Sequence, residues 1–278
     1  MPFVAPEGTE LVRLLGGGSV FEVGLVRAGE RALVCKRLGP RARASREGRV
    51  SMVREARLLS LVDHPSLPRL EHVGQDAAGP FFLETFVEGT PLRALVEGWR
   101  ARGKPVPPTL VRHVATLALE ALAELHELAD EAGPLAITHG DLGPDHVIVG
   151  PLGEIRFVDL GAARFRGLEP ELDTDDRGTL PYAPPEVARG EARPSPSADV
   201  YALAATLLFC ATGRPLCEAT GEAPMLAEIG ARGLRRELVD GAPAFGPRER
   251  EAVRRALDPD PAARLTSARA LLRAFDPP

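Results

Sequence analysis

Cysteine is scarce: Cys35, Cys210 and Cys217 are the three in 278 residues. An odd count with no C-x-x-C pair excludes a disulfide framework and supplies no zinc-ligand spacing. A reducing, cytoplasmic setting is the expectation. No apolar run approaches the roughly 18 residues that a spanning helix needs. The opening Met1-Pro2-Phe3-Val4-Ala5-Pro6 lacks the basic-then-apolar order of a secretion signal. A soluble chain without membrane contact is expected, with no segment set aside for a sensor or an anchor. Lysine is scarcer still, Lys36 and Lys104 being the two among 34 basic residues. The arginines are scattered and the net charge is −5, so there is no footprint for nucleic acid. The abundance of Arg, Ala, Gly and Pro reflects genome composition rather than function. No internal repeat is present.

What remains is an ordinary globular balance of 44% hydrophobic and 26% charged residues, enough for one large domain or two modest lobes. From Thr9 to Leu38 the pattern predicts three strands, broken at Gly16-Gly17-Gly18 and Ala28-Gly29-Glu30. Leu11, Leu14, Val20, Val23, Leu25, Leu33 and Val34 are their apolar positions. Arg41 to Arg49 reads as a polar loop. Val50 to Leu61 follows as a helix, with Met52, Ala56 and Leu59 on its apolar side and Val53 at the border; His64-Pro65 ends it. Leu67 to Val73 and Pro80 to Val87 predict two more strands. After Glu88-Gly89 the period becomes helical. Pro108 to Leu128 turns Val111, Val114, Ala115, Leu117, Ala118, Ala121, Leu122 and Leu125 inward, and further helices are predicted at Ala198 to Thr212, Pro247 to Leu257 and Ser267 to Phe275. The boundary between a β-rich and a helical half is placed between Glu84 and Gly89.

Several segments carry chemistry. Leu15-Gly16-Gly17-Gly18-Ser19-Val20-Phe21-Glu22-Val23 sets glycines between two strands, where the lack of Cβ atoms lets backbone N–H groups approach an anion. Taken alone, it reads better as a plain hairpin turn. Lys36 is a lone cation ending the apolar Leu33-Val34-Cys35; it either snorkels to the surface or is held for an anionic partner. Glu55 lies on the following helix, solvated or paired with Lys36. Two strand-adjacent aspartates come later, Asp141 in Thr138-His139-Gly140-Asp141-Leu142 and Asp159 in Phe157-Val158-Asp159-Leu160-Gly161. One hairpin would bring both carboxylates to one cleft, a pairing that suits a hard cation with phosphate oxygens. Singly, each serves as well as a turn former.

In this order and spacing, the segments from Leu14 to Phe275 resemble the eukaryotic-type protein kinase family, on the side of the bacterial Ser/Thr kinases. The resemblance implies an α+β, bilobal fold: a β-rich lobe with one helix over residues 1–87, and a helical lobe over residues 88–278. By it, Gly16, Gly17, Gly18 and Val23 cover the phosphates of ATP, Lys36 holds the α- and β-phosphates, and Glu55 is its ion-pair partner. Asp141 orients the substrate hydroxyl. Asp159-Leu160-Gly161 stands for the D-F-G element, with Asp159 on Mg²⁺. Val34 and Ile148 belong to the nucleotide site, Glu84 takes the gatekeeper position, and the backbone of Thr85, Phe86 and Val87 reads adenine. Gly178-Thr179-Leu180-Pro181-Tyr182-Ala183-Pro184-Pro185-Glu186 resembles the end of the activation segment, with Pro184 for its alanine. Asp199 resembles the start of the central helix, and Arg264 the late arginine that pairs with Glu186. His139 joins Leu59, Leu70 and Leu160 in the hydrophobic column. Pro144, Gly178-Thr179 and Tyr182 resemble Ser/Thr rather than Tyr kinases.

The pattern also breaks. Phe21 replaces the third glycine and Val34 a small alanine. Glu84 replaces an apolar gatekeeper, and a buried Glu is costly unless it finds a partner or protonates; Lys36 and the adenine edge are the two candidates. Gly143 replaces a lysine, and His146 an asparagine that binds the second metal. Imidazole prefers softer ions than Mg²⁺, which brings Mn²⁺ into question. Gly140 replaces the arginine that clamps a loop phosphate, so activation by loop phosphorylation is not expected. The acidic run from Glu169 to Asp176 reads as a solvated loop. The implied function is an ATP-dependent Ser/Thr protein kinase of reduced activity, acting on a protein substrate or signalling partner. The alternatives are a pseudokinase that recruits a partner by nucleotide-dependent shape, and a small-molecule phosphotransferase, because His139-Gly140-Asp141 resembles the H-G-D of aminoglycoside kinases. Substrate, pathway and oligomeric state are not written in the sequence.

Overall fold

Alternating apolar residues after Thr9 form a five-stranded antiparallel sheet in the computed structural model, which describes residues 3–17, 20–39, 42–43, 45–174 and 178–275. Its strands are β1 (Glu10–Gly17), β2 (Phe21–Ala28), β3 (Arg31–Leu38), β4 (Leu70–Asp76) and β5 (Gly79–Thr85), in the spatial order β1-β2-β3-β5-β4. The chain divides into two compact units, Met1–Glu88 with Leu168–Thr174, and Gly89–Gly167 with Asp175–Pro278. The sheet belongs to the first.

Register decides what each sheet face carries, because successive side chains alternate. Gly16 pairs with Val23, Val23 with Lys36, Lys36 with Phe82, and Val34 with Glu84. One face therefore presents Val23, Val34, Lys36, Phe82 and Glu84. The other packs Val26, Leu33, Cys35, Phe81 and Leu83, with Phe3 and Ala5 laid over them. Phe3 fits because Gly24 has no side chain; a Cβ there would stand 2.7 Å from the Phe3 ring. Arg37, 1% exposed, fastens this layer. Its guanidinium donates to Val4 O at 2.6 Å, to Gly79 O at 3.2 Å and to the Asp76 carboxylate, and it lies 4.6 Å from the centre of the Phe81 ring. Leu11 and Leu14, read as apolar core positions, are 42% and 56% exposed, because β1 is an edge strand.

The helix α1 covers Arg46–Leu61, four residues longer at its start than the sequence predicts. The polar stretch before Val50 is not all loop. Ser45 caps the helix by accepting the Gly48 N–H at 2.9 Å, and Glu47 suits the first turn. Its buried face also differs: Val53 is 49% exposed, whereas Arg54 and Glu55 are fully buried beside Leu58 and Leu59. The strand expected from Leu67 begins at Leu70. Of the run Glu169 to Asp176, read as a solvated loop, the part to Thr174 instead joins the first unit with Leu168 and contains a 3-10 turn at Pro170–Leu172, while Asp175 and Asp176 lie outside the described residues.

The second unit is mainly helical. It contains β6 (Thr90–Pro91), α2 (Leu92–Ala101), α3 (Pro108–Glu127), β7 (Ala129–Asp130), β8 (Gly133–Pro134), β9 (Val147–Val149), β10 (Ile155–Phe157), α4 (Pro185–Ala188), α5 (Pro196–Thr212), α6 (Glu222–Arg232), α7 (Pro247–Ala256) and α8 (Ala268–Leu272). The α5 helix is buried along its whole length from Ala198 to Ala211, as expected of a helix apolar all round; α3 and α7 pack on it. On α3, Leu119 rather than Leu117 faces fully inward. α2 and α6 have no counterpart in the sequence reading. Among the described residues no helix is long and apolar enough to cross a membrane. The three cysteines are free and buried, and burial pushes the Cys35 and Cys210 thiols up to about 12, which leaves them unreactive.

Arg37→Met keeps the bulk but leaves Asp76 and Val4 O without their donor, and Asp76 is partly solvated. The expected loss is about 2–3 kcal/mol of unfolding free energy, read from the urea midpoint at unchanged slope. A loss near zero would mean that the Phe3–Ala5 layer is not held by this residue.

Candidate active site

In the first unit, β3 and α1 hold the charged residues. Lys36 Nζ donates to Glu55 Oε1 at 2.5 Å and lies 3.4 Å from Glu84 Oε1. The three side chains are 6%, 0% and 4% exposed. Lys36 also stands 5.7 Å and 5.8 Å from the ring centres of Phe82 and Phe21. Phe21, where a glycine was expected, therefore walls the ammonium group, and Glu84 makes the lysine contact rather than staying unsatisfied. Val23 and Val34 sit beside Lys36 on the same sheet face. Gly16 faces open space, with nothing within 4 Å of a Cβ built on it. Gly17 ends β1, and Gly18 lies outside the described residues. At the end of β5, Thr85 N–H donates to Arg69 O at 2.9 Å and Phe86 N–H to Ala32 O at 3.4 Å; Val87 is buried.

In the second unit, the loop before β9 and the turn after β10 hold the acidic residues. Asp199, in the first turn of α5, accepts the backbone N–H groups of His139 at 2.7 Å and Gly140 at 2.9 Å, and its Oδ2 lies 3.1 Å from His126 Nε2. His139 is fully buried; its Nδ1 accepts the Asp141 N–H at 3.3 Å and its Nε2 donates to Val158 O at 3.2 Å. Burial pushes its pKa down, so the ring is neutral and serves as a spacer. The β9–β10 hairpin does bring both aspartates to one imidazole. His146 Nδ1 donates to Asp141 O at 2.7 Å and lies 3.6 Å from Asp141 Oδ2, while Nε2 lies 3.6 Å from Asp159 Oδ2. Burial alone would lower the His146 pKa, but the Asp141 and Asp159 charges outweigh it and hold it above the ordinary value. Asp159 sits at φ 67°, a left-handed conformation that costs a non-glycine residue about 1 kcal/mol or more. Ile148 is buried in β9 and Leu160 beneath the turn.

The later motif residues fix the loop that follows. Thr179 N–H donates to Asp141 Oδ1 at 2.5 Å. Gly178 allows that approach, since a Cβ there would meet Gly140 O at 2.7 Å. Arg264 forks onto Glu186 at 2.7 and 3.0 Å and stacks 4.8 Å from the Tyr201 ring centre. Beside Asp141, Leu142, Tyr182, Pro184 and Val187 line an apolar recess. One residue of the site is absent from the sequence reading. Arg93, in the first turn of α2, donates through Nε to both Asp145 oxygens at 2.9 and 2.7 Å, and its guanidinium faces the Tyr182 and Phe209 rings at 5.9 and 5.4 Å. It is one of many scattered arginines, and no spacing sets it apart.

The residues fit a nucleotide and a metal by their chemistry. An ammonium group beside the apolar Val23 and Val34 suits a polyphosphate attached to a flat base. Asp159, 43% exposed, offers a hard oxygen, and His146 Nε2 a softer nitrogen beside it. Among the described residues no group of three or more His, Cys, Asp or Glu is arranged to hold a metal ion by itself; Mg²⁺ characteristically takes one or two carboxylates together with substrate phosphates.

Comparison with known proteins identifies the family. Residues 9–275 match the family model for the protein kinase domain. Serine/threonine-protein kinase PknD of Mycobacterium tuberculosis is 31% identical over 240 residues, covering 84% of this chain and 33% of that protein. Tyrosine-protein kinase MasK of Myxococcus xanthus is 28% identical over 216 residues, 74% of this chain and 33% of its own. Serine/threonine-protein kinase PrkC of Bacillus subtilis is 28% identical over 162 residues, 58% of this chain and 23% of its own. The chain thus spans a third or less of these relatives.

The raised His146 pKa has a signed consequence. Its stabilising contribution is complete below the unfolded value of about 6.5 and is lost as pH rises through the folded value. The depressed His139 value acts oppositely, its contribution being lost as pH falls. Thermal unfolding of His146→Gln should therefore lie furthest below the parent near pH 6 and converge on it toward pH 9. A gap that widens with rising pH would show that the two aspartates do not hold an imidazolium.

Proposed function

The chain belongs to the protein kinase family, in the eukaryotic-type branch that includes the bacterial serine/threonine kinases, and from that membership we propose that it transfers the γ-phosphoryl group of ATP to serine or threonine of a protein, at reduced rate. Members of the family use ATP and a divalent metal. The observation that carries the reading is the buried Lys36–Glu55 contact at 2.5 Å, which fixes an ammonium group at one place on the sheet face. In this account Lys36 binds the α- and β-phosphate oxygens, with Gly16, Gly17 and Gly18 over the phosphates. Val23, Val34, Glu84, Thr85, Phe86, Val87 and Ile148 form the nucleotide site. Asp141 orients the acceptor hydroxyl and takes its proton. Asp159 and His146 are the protein ligands of Mg²⁺ or Mn²⁺. A divalent ion there would neutralise charge on the transferring group. Free, buried cysteines agree with a cytoplasmic setting.

Reduced rate follows from what the loop lacks. Gly143 has no side chain, so no cation reaches the transferring group from this position, although a Cβ there would make only ordinary contact with Tyr182 at 3.4 Å. Loss of one such donor costs about 10²–10³ in rate. Family kinases run at roughly 1–100 s⁻¹, which leaves a slow enzyme. A second reading, a nucleotide-dependent binding module without turnover, is favoured by one contact: Asp141 Oδ1 is already engaged by Thr179 N–H.

Label transfer from ATP to the chain or to a protein substrate separates the two. Catalysis predicts incorporation that falls by at least about 10²-fold in Asp141→Asn. It also predicts a rise of similar size in the double variant Gly143→Lys with His146→Asn. Incorporation indifferent to Asp141→Asn contradicts the assigned role. No incorporation in either the parent or the double variant leaves the binding module.

A further inference from the structure

The chemistry proposed above gives Arg93 no task, yet Arg93 touches three parts of the second unit around Asp141. It is the second residue of α2, where a helix leaves its backbone N–H groups without partners of its own. That N–H goes to the loop, donating to Pro144 O at 2.9 Å. The side chain takes the next residue, with Nε donating to both Asp145 oxygens. One residue thus grips two successive positions of the short stretch between Asp141 and His146. On its other side the guanidinium lies over the Tyr182 and Phe209 rings, and Nη2 donates to Tyr182 Oη at 3.4 Å. Asp145 is 49% exposed, and a wet ion pair is worth little by itself. This one is backed by two aromatic faces, which suit a planar guanidinium better than an ammonium group.

These contacts close a circuit. Asp141 Oδ1 accepts the Thr179 N–H, and Thr179 O accepts the Tyr182 N–H at 2.9 Å. Tyr182 meets Arg93, and Arg93 holds Asp145. His146, the next residue, donates from Nδ1 back to Asp141 O. The loop and the segment after Gly178 supply the other members, whereas Arg93 comes from a helix outside both. Where the loop passes Tyr182 it carries Gly143, which has no side chain to press on the ring. We infer that Arg93 is a positioning residue, whose hold on Pro144, Asp145 and Tyr182 keeps the Thr179 N–H on Asp141 Oδ1 and so leaves Oδ2 for the acceptor hydroxyl. The task of Oδ2 rests on the function proposed above; the linkage from Arg93 to Thr179 does not.

Amide exchange followed by NMR on the intact chain reads that linkage without nucleotide. Arg93→Met keeps the apolar stem and loses the fork, and the Thr179 amide should then exchange about tenfold faster, the worth of one hydrogen bond. Arg93→Lys keeps the charge and should fall between Arg93→Met and the parent; it decides the matter if Arg93→Met does not fold. Arg269→Met, which breaks a surface pair with Glu127, should leave Thr179 at the parent rate. In label transfer, Arg93→Met should lower kcat about tenfold with the KM for ATP unchanged, the mark of a contact that serves the transition state. Thr179 exchange at the parent rate in both Arg93 variants overturns the inference. Equal acceleration of the α5 amides also overturns it, because that marks a general loss of stability. Faster Thr179 exchange with unchanged kcat overturns the positioning role. A parent that transfers no label would sink the proposed function and leave exchange to decide the linkage.

Discussion

A single ammonium group, that of Lys36, is kept dry by two carboxylates. Removing a charge from water costs several kcal/mol even after the protein relaxes, and the cost is offset only where the partner is close and fixed. Glu55 at 2.5 Å meets that condition, and Glu84 at 3.4 Å adds a second negative group. Two acidic side chains therefore share one lysine, the group that the proposed function gives to the nucleotide phosphates. On the proposed function, Glu84 competes with the nucleotide phosphates for Lys36. What holds α1 in place, Ser45 at its cap included, bears on this one contact.

The second unit depends on a different constraint: a loop too short to hold itself is held by one buried carboxylate. Asp199 accepts two successive backbone N–H groups, of His139 and Gly140, and hydrogen bonds to a charged acceptor are worth about 1.5–3 kcal/mol each. Gly140 takes the left-handed conformation there without a side chain to oppose it. His139 and His146 stack 6.2 Å apart, and their pKa values shift in opposite directions because burial prevails over the nearby carboxylates for His139, whereas Asp141 and Asp159 outweigh burial for His146.

Much of this was legible in the sequence. The order of Gly16, Lys36, Glu55, Asp141, Asp159, Glu186 and Arg264 pointed to the family, and the Lys36–Glu55 and Glu186–Arg264 pairs were both expected. What escaped did so for physical reasons. Counting apolar residues places Val53 near the buried side of α1, because it cannot see a face built from Arg54 and Glu55. The start of α1 reads as loop because its first turn is polar, although Ser45 caps it. The acidic run after Glu169 looks solvated because its partners, Arg46, Arg54 and Arg57, come from far away in the chain. Arg93 carries no signal, and α2 buries only Leu92 and Val96, too few for a period.

The central claim is that Lys36, positioned by Glu55, receives a nucleotide triphosphate. Calorimetric titration of ATP with Mg²⁺, and in parallel with Mn²⁺, into the parent chain and into Lys36→Met and Glu84→Gln tests it most directly. The account predicts saturable binding to the parent, binding at least about tenfold weaker to Lys36→Met, and tighter binding to Glu84→Gln, the last because one competing charge is gone. Equal affinity in the parent and Lys36→Met, or no heat with either ion in any of the three, would contradict it.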